Sequence, residues 1–253
     1  MTVAAVTTIL YIFVFLFGIV IGSFLNVCIY RIPLKESIVF PHSHCMTCGY
    51  QLRWYDLVPL FSFIFLRGRC RKCHTKLSLQ YPLVEGMNGA LYVIVFLANG
   101  WNYMSVVYCL LTSALIVLSV LDFRTMEIAD GMNLFILLLG IAATLLDLDA
   151  WKDHVIGMFS VSVFLLIIYL VTVGRGIGGG DIKLMFGAGL LLGWKGAVLA
   201  FFLGCIIGSV IHLIRMAVSH AEHRLAMGPY LSVGIWLTAL WGQRFIDWYI
   251  SMI

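Results

Sequence analysis

Two aspartates stand where a membrane-embedded chain least tolerates charge. Asp122 closes one long apolar run, and Asp181 opens another behind Gly176-Ile177-Gly178-Gly179-Gly180. Ionisable groups in or beside membrane spans mark function by default. Two carboxyls that meet at one membrane face and hold one proton between them do two jobs at once. One takes a proton from water and the other gives a proton to a carbonyl oxygen or leaving nitrogen, which is the chemistry of an aspartic protease. Blander readings stay open: Asp122 as a helix cap or as an ion-pair partner of Arg124, Asp181 as a helix N-cap, and Glu127 or Asp130 as rivals for the first acid. Gly178, Gly179 and Gly180 lack side chains, so the backbone there can take positive φ and lie against an extended substrate, as peptides add to strand edges. A plain flexible turn is the alternative.

A second constellation is Cys45-x2-Cys48, followed after 21 residues by Cys70-x2-Cys73. Four soft ligands from two tight turns suit a tetrahedral zinc site, closed to water and therefore structural. Gly49 and Gly68 are placed to supply the open backbone such turns need. The alternatives are unligated thiols or a redox dithiol pair, while His42, His44 or His74 can replace one cysteine. Such a metal would fold a segment too short to build much core unaided.

The elements that must position these groups are apolar. Hydrophobic residues make up 62% of the chain and charged ones 11%, against roughly 25% charged in soluble domains. A span needs about 20 apolar residues. Runs of that kind occur at about 3–30, 83–98, 103–121, 132–148, 155–173, 182–192, 196–218 and 228–246. The fold expected is an all-α polytopic membrane protein of about eight transmembrane helices. The run after Asp181 is short enough to be tilted, re-entrant or half-depth. The domains expected are a first transmembrane helix over 1–30, a cytosolic zinc-binding segment over 31–82 and a membrane-embedded core over 83–253. No basic residue precedes the first run and no small-x-small site closes it, so it reads as a retained span.

Thirteen of the sixteen basic residues fall on one side of this topology, including Arg31, Lys35, Arg53, Arg124, Arg175, Lys183, Arg215 and Arg224. By the positive-inside rule that side is cytosolic. Both aspartates then face the cytosol, and the net charge of +4 reports topology and calls for no nucleic acid. Paired acids also suit a proton-coupled or ion transporter, but a transporter leaves the doubled CxxC unexplained and would hold its acids nearer the midplane.

Taken in order, Gly22-Ser23-Phe24-Leu25-Asn26-Val27, Tyr30-Arg31-Ile32-Pro33, the two CxxC units, Tyr81-Pro82-Leu83-Val84-Glu85, the Asp122–Asp130 segment and Gly178-x-Gly180-Asp181-Ile182-Lys183-Leu184 resemble the bacterial prepilin peptidases, or type IV leader peptidases. The chain departs from that pattern at Ile128-Ala129-Asp130, where the family often has Ile-Pro-Asp, and at Ala226-Met227-Gly228-Pro229, where it has Pro-Phe-Gly-Pro. Neither change removes a carboxylate. The resemblance implies an aspartic endopeptidase of the bacterial inner membrane with Asp122 and Asp181 as its catalytic pair. Its substrates would be prepilins or pseudopilins, cut after a glycine at the cytosolic face for type IV pili, type II secretion or competence. Many members also N-methylate the new terminus, which adds S-adenosylmethionine as a second expected cofactor beside zinc.

Overall fold

The computed structural model describes residues 3–40, 42–219 and 226–252. Arg224, counted above among the cytosolic charges, lies outside the described residues. The described residues are helical apart from turns and two isolated β-bridges. Their helices are α1 (Val3–Arg31), α2 (Phe61–Phe65), α3 (Gln80–Asn99), α4 (Tyr103–Thr125), α5 (Asp130–Leu146), α6 (Trp151–Val171), α7 (Gly179–Ser219) and α8 (Gly228–Ile250). The chain forms two compact units, Met1–Leu97 and Ala98–Ile253.

All eight apolar runs are helical, the sixth and seventh being joined as α7. Five helical stretches are long and apolar enough to cross a membrane: Ala4–Arg31, Gln80–Asn99, Tyr103–Thr125, Leu148–Val171 and Gly179–Val218. Asp130–Leu146 is apolar but shorter.

In the first unit α1 packs on α3 where both lack side chains. A Cβ on Gly18 would sit 2.7 Å from Gly89 Cα, and one on Gly22 would sit 2.7 Å from Glu85 Cα. Such close approach lets polar side chains bond across the pair. Asn88 donates to the Gly18 carbonyl at 2.7 Å, while Asn26 donates to the Tyr81 carbonyl at 3.2 Å and accepts from Gln80 at 3.3 Å.

In the second unit α7 packs against α5, α6 and α8, and α4 against α5 and α8. The core between them is apolar and tight, with Leu111, Leu118, Ile136, Leu184, Met185 and Ile235 fully buried. Trp236 on α8 donates its indole N–H to Thr112 on α4 at 2.9 Å. Helix α7 is too long for one crossing, and it breaks at Gly193 (φ 71°, ψ 173°), a left-handed region that only glycine enters without strain. The portion before the break, residues 179–192, rises roughly 21 Å at 1.5 Å per residue, short of the roughly 30 Å hydrocarbon core. Three residues before the break, the Leu190 carbonyl accepts from Nδ1 of buried His154 of α6 at 2.8 Å. Gly157 makes room for this, because a Cβ there would run into the Gly189 carbonyl oxygen. The short helix that begins beside Asp181 is thus held at its far end by a side chain of α6.

Candidate active site and metal centre

Asp122 lies in the last turn of α4, which Asn102 starts as N-cap by accepting from the Ser105 N–H at 2.9 Å. The helix ends at Met126 in left-handed conformation, its N–H bonded to the Asp122 carbonyl at 2.9 Å. The Asp122 side chain has a different partner, for Oδ2 accepts the Gly228 N–H at 2.8 Å. Gly228 and Pro229 open α8, so this N–H is one of the donors that a helix start leaves unpaired. A Cβ on Gly228 would sit 2.6 Å from that Oδ2, so only glycine brings the backbone this close.

Asp181 is the third residue of α7, and its carboxyl takes a hydrogen bond from the Gly178 backbone. Its Oδ1 is buried and has no partner among the described residues. Both aspartates are buried, at 5% and 8% exposure, and Asp122 is near enough for its charge to act on Asp181. Each carboxyl therefore sits at the N-terminus of a helix, Asp122 at α8 and Asp181 at α7, where partial positive charge favours an acid. Asp181 keeps one buried oxygen without a hydrogen bond among the described residues.

The rivals for the first acid, Glu127 and Asp130, are both exposed. Asp130 begins α5 one residue after the N-cap, Ala129, and its exposed carboxylate pairs with Lys183 Nζ at 2.6 Å. Lys183 is thereby engaged with Asp130.

The glycines before Asp181 differ from the expectation in one respect. Positive φ occurs at Val173 and Gly174, not at Gly178, Gly179 or Gly180. Gly179 and Gly180 are the first residues of α7, because a helix start needs no left-handed residue. The missing side chains serve close approach instead. A Cβ on Gly180 would sit 2.8 Å from Ile128 Cβ, and one on Gly178 would sit 3.2 Å from Asp181 Oδ2, while Gly179 faces open space. Sequence reasoning missed the contributions of Gly228 and Ile128. The Gly-Pro step at the start of the last apolar run was the available signal for the first, since it leaves a free N–H at a helix start; Ile128 carries no signal of its own.

The four cysteines converge in the first unit, with all four Sγ atoms within 4.8 Å of one another. Cys45 and Cys73 are 3.8 Å apart, and Cys48 and Cys70 are 4.0 Å apart. A tetrahedral zinc with bonds of about 2.3 Å needs edges of about 3.8 Å, so the donor set fits a metal of that size. The two turns are built alike. Cys45 N–H bonds the Tyr50 carbonyl at 2.8 Å and Gly49 N–H bonds Cys45 at 2.9 Å; Cys70 N–H bonds Thr75 at 2.9 Å and His74 N–H bonds Cys70 at 3.0 Å. Gly49 and Gly68 both take positive φ (66° each), Gly49 within the first turn and Gly68 just before the second, where it packs on Phe63, while inside the second turn the left-handed residue is His74 (φ 56°). The Thr75 hydroxyl, 3.3 Å from Cys73 Sγ, and the Thr75 backbone pull the Cys73 thiol down to about 6, toward the thiolate that metals bind. Between the turns, buried Asp56 accepts from Arg71 Nε at 2.7 Å and from the Arg53 backbone at 3.3 Å. Glu85 of α3 accepts the N–H of Leu60, itself in left-handed conformation (φ 59°), at 2.8 Å.

Comparison with known proteins matches the bacterial peptidase A24 N-terminal domain over residues 16–99 and the type IV leader peptidase family over residues 109–213. A prepilin leader peptidase/N-methyltransferase of Aeromonas salmonicida is 32% identical, aligned over 95% of this chain and 94% of its own. Proteins of the same description from Bacillus subtilis (strain 168) and Neisseria gonorrhoeae are 33% and 31% identical, covering 94% and 92% of this chain and 97% and 92% of their own. No solved structure matches. With the doubled cysteine turns in one matched region and both buried aspartates in the other, the chain belongs to the type IV leader peptidase family.

Proposed function

We propose that this protein is an integral-membrane aspartic endopeptidase that removes the leader of prepilin or pseudopilin substrates at the cytosolic face of the bacterial inner membrane, with Asp122 and Asp181 as its catalytic pair. The observation that carries this reading is the burial of the two acids, each at the start of a helix, within electrostatic reach of each other. One carboxylate takes a proton from water as the water oxygen attacks the scissile carbonyl; the other carboxyl gives its proton toward the carbonyl oxygen and then the leaving nitrogen. Gly228 fixes the orientation of Asp122, and the exposed backbone at Gly178 and Gly179, with Gly180 behind them, offers the substrate chain a surface beside Asp181. The peptidase core falls within residues 83–253. Nothing found in the chain's relatives supports the transporter alternative.

One experiment tests both activity and orientation. Inverted membrane vesicles, which expose the cytosolic face, are expected to cut an added prepilin-type peptide after its glycine, whereas sealed right-side-out vesicles leave it whole. The absence of a cut in both preparations would sink the protease reading, and cutting only by right-side-out vesicles would reverse the orientation.

The metal reading is a structural zinc held by Cys45, Cys48, Cys70 and Cys73, giving order to a segment with little core of its own. Elemental analysis is expected to find about one zinc per chain. Serine at any one of the four should make residues 42–79 readily cut by trypsin while the protein still inserts. A metal-free wild type with an equally resistant segment contradicts this. The relatives are named N-methyltransferases as well as peptidases, and the first unit holds a cavity of about 360 Å³ lined by Ser23, Asn26, Arg31, Asp56 and Glu85 among others. Its size and mixed lining suit a small cofactor, and its carboxylates suit a sulfonium. S-adenosylmethionine supplies an electrophilic methyl group when bound there. Equilibrium dialysis with labelled S-adenosylmethionine checks this, and no binding by Glu85→Gln alongside binding by wild type is the expected result; equal binding by both would remove Glu85 from the site.

A further inference from the structure

Buried polar atoms without partners are costly, more so in a membrane protein where bulk water is excluded. Among the described residues five side-chain atoms are in that condition, and all belong to the second unit: both amide atoms of Asn133, Asp181 Oδ1, Ser232 Oγ and Thr238 Oγ1. Three of these four residues stand at helix starts near the catalytic pair. Asn133 is the fourth residue of α5, Asp181 the third of α7 and Ser232 the fifth of α8. Asn133 and Ser232 are 5% and 3% exposed.

Each belongs to a helix start that also carries a residue tied to the dyad or to the chain next to it. Ser232 lies one helical turn beyond Gly228, whose N–H binds Asp122. Asn133 lies one turn into α5 from Asp130, and with Ile182, Lys183 and Phe186 it lines a cavity of about 350 Å³. Ile182 follows Asp181 directly, and the Asp130–Lys183 pair stands at the same cavity. The remaining lining, Leu134 and Leu137, is apolar.

A structural asparagine in this protein looks different. Asn88 and Asn26, buried in the first unit, have their amides bonded to backbone carbonyls of the facing helix. Asn133 has no such partner among the described residues. A carboxamide carries a donor and an acceptor side by side, the same pair that the edge of a peptide group presents. We propose that Asn133 is a substrate-binding residue, pairing its amide with the main chain of the substrate next to the scissile bond while the adjoining cavity takes a neighbouring side chain, and that Ser232 on α8 holds the same chain. The proposal rests on the reading of Asp122 and Asp181 as the catalytic pair.

The test exploits a difference in sign. Replacing a buried unpaired amide with an apolar side chain of similar shape is neutral or stabilising, whereas removing the partner of a bound peptide group weakens binding. Asn133→Leu is expected to keep or raise thermal stability and to raise KM for a prepilin-type peptide about tenfold or more. Adding Asn133→Leu to the inactive Asp181→Asn variant should weaken binding of the uncut peptide by a similar factor. Ser232→Ala should raise KM several-fold, and it carries the test if Asn133→Leu does not accumulate in the membrane. An unchanged KM overturns the proposal, and so does a loss of thermal stability, which would mark the side chain as structural. If the wild type cuts no such peptide, the reading of the dyad fails instead, so the two failures are distinguishable.

Discussion

Asparagine at either Asp122 or Asp181 is expected to leave a folded, membrane-inserted protein that cuts its substrate about a thousandfold more slowly or worse. The substitution keeps the size of the side chain and its capacity to accept a hydrogen bond, so the Gly228 contact to position 122 and the start of α7 at 181 can both persist. What it removes is the ability to hold or release a proton. Because the two groups act as one unit, either single change should cost nearly as much as both together. Asp130→Asn loses only the exposed pair with Lys183, a contact of little energetic weight, and should retain substantial activity. The check is the rate of peptide cleavage by each variant in liposomes. Near wild-type cutting by Asp122→Asn with a dead Asp130→Asn or Glu127→Gln would reassign the first acid.

The second large effect is expected at a residue without a functional group. Gly228→Ala introduces a Cβ 2.6 Å from Asp122 Oδ2 and 3.0 Å from its Cγ. The side chain of Asp122 must turn away, and a displacement of about 1 Å at a reacting group costs on the order of a hundredfold in rate. Alanine is the better helix former, so α8 itself should not suffer. Gly131→Ala serves as the control, since a Cβ there meets nothing within 4 Å. Activity near wild type in Gly228→Ala would mean that the backbone contact to Asp122 is dispensable.

What was legible in the sequence depended on how local the signal was. Apolar runs announce themselves, and each of the eight is helical here, five helical stretches being long and apolar enough to cross a membrane. The doubled CxxC is equally local: each turn is closed by its own backbone bonds, and the four sulfurs then have one way to meet. The break in α7 was half legible, as a short run ending at Leu192 and a full-length one beginning at Gly196, but the left-handed Gly193 and the buried His154 that bonds Leu190 depend on a partner helix. The use of Gly228 was hidden for the same reason, although its Gly-Pro step marked a helix start. Its motif was noted only as a departure from the family pattern, whereas its use is to bring a helix start onto an acid over a hundred residues away in sequence (|i−j| = 106). At Gly178, Gly179 and Gly180 the motif was seen and its conformation misjudged, because a glycine run reads equally as a loop or as the close-packed start of a helix. In the second cysteine turn His74, which enters the left-handed region far less readily than glycine, occupies the position that glycine fills in the first.

The central claim is that two carboxyls share the work of one hydrolytic site, and the pH dependence of kcat/KM for a prepilin-type peptide tests it most directly. The pair is competent when one carboxyl is ionised and the other protonated. Activity should therefore fall at low pH, where both are protonated and no base remains, and fall again at high pH, where both are ionised and no acid remains. The account predicts a bell with two apparent pKa values that belong to the pair. A rate that keeps rising into alkaline solution would contradict it.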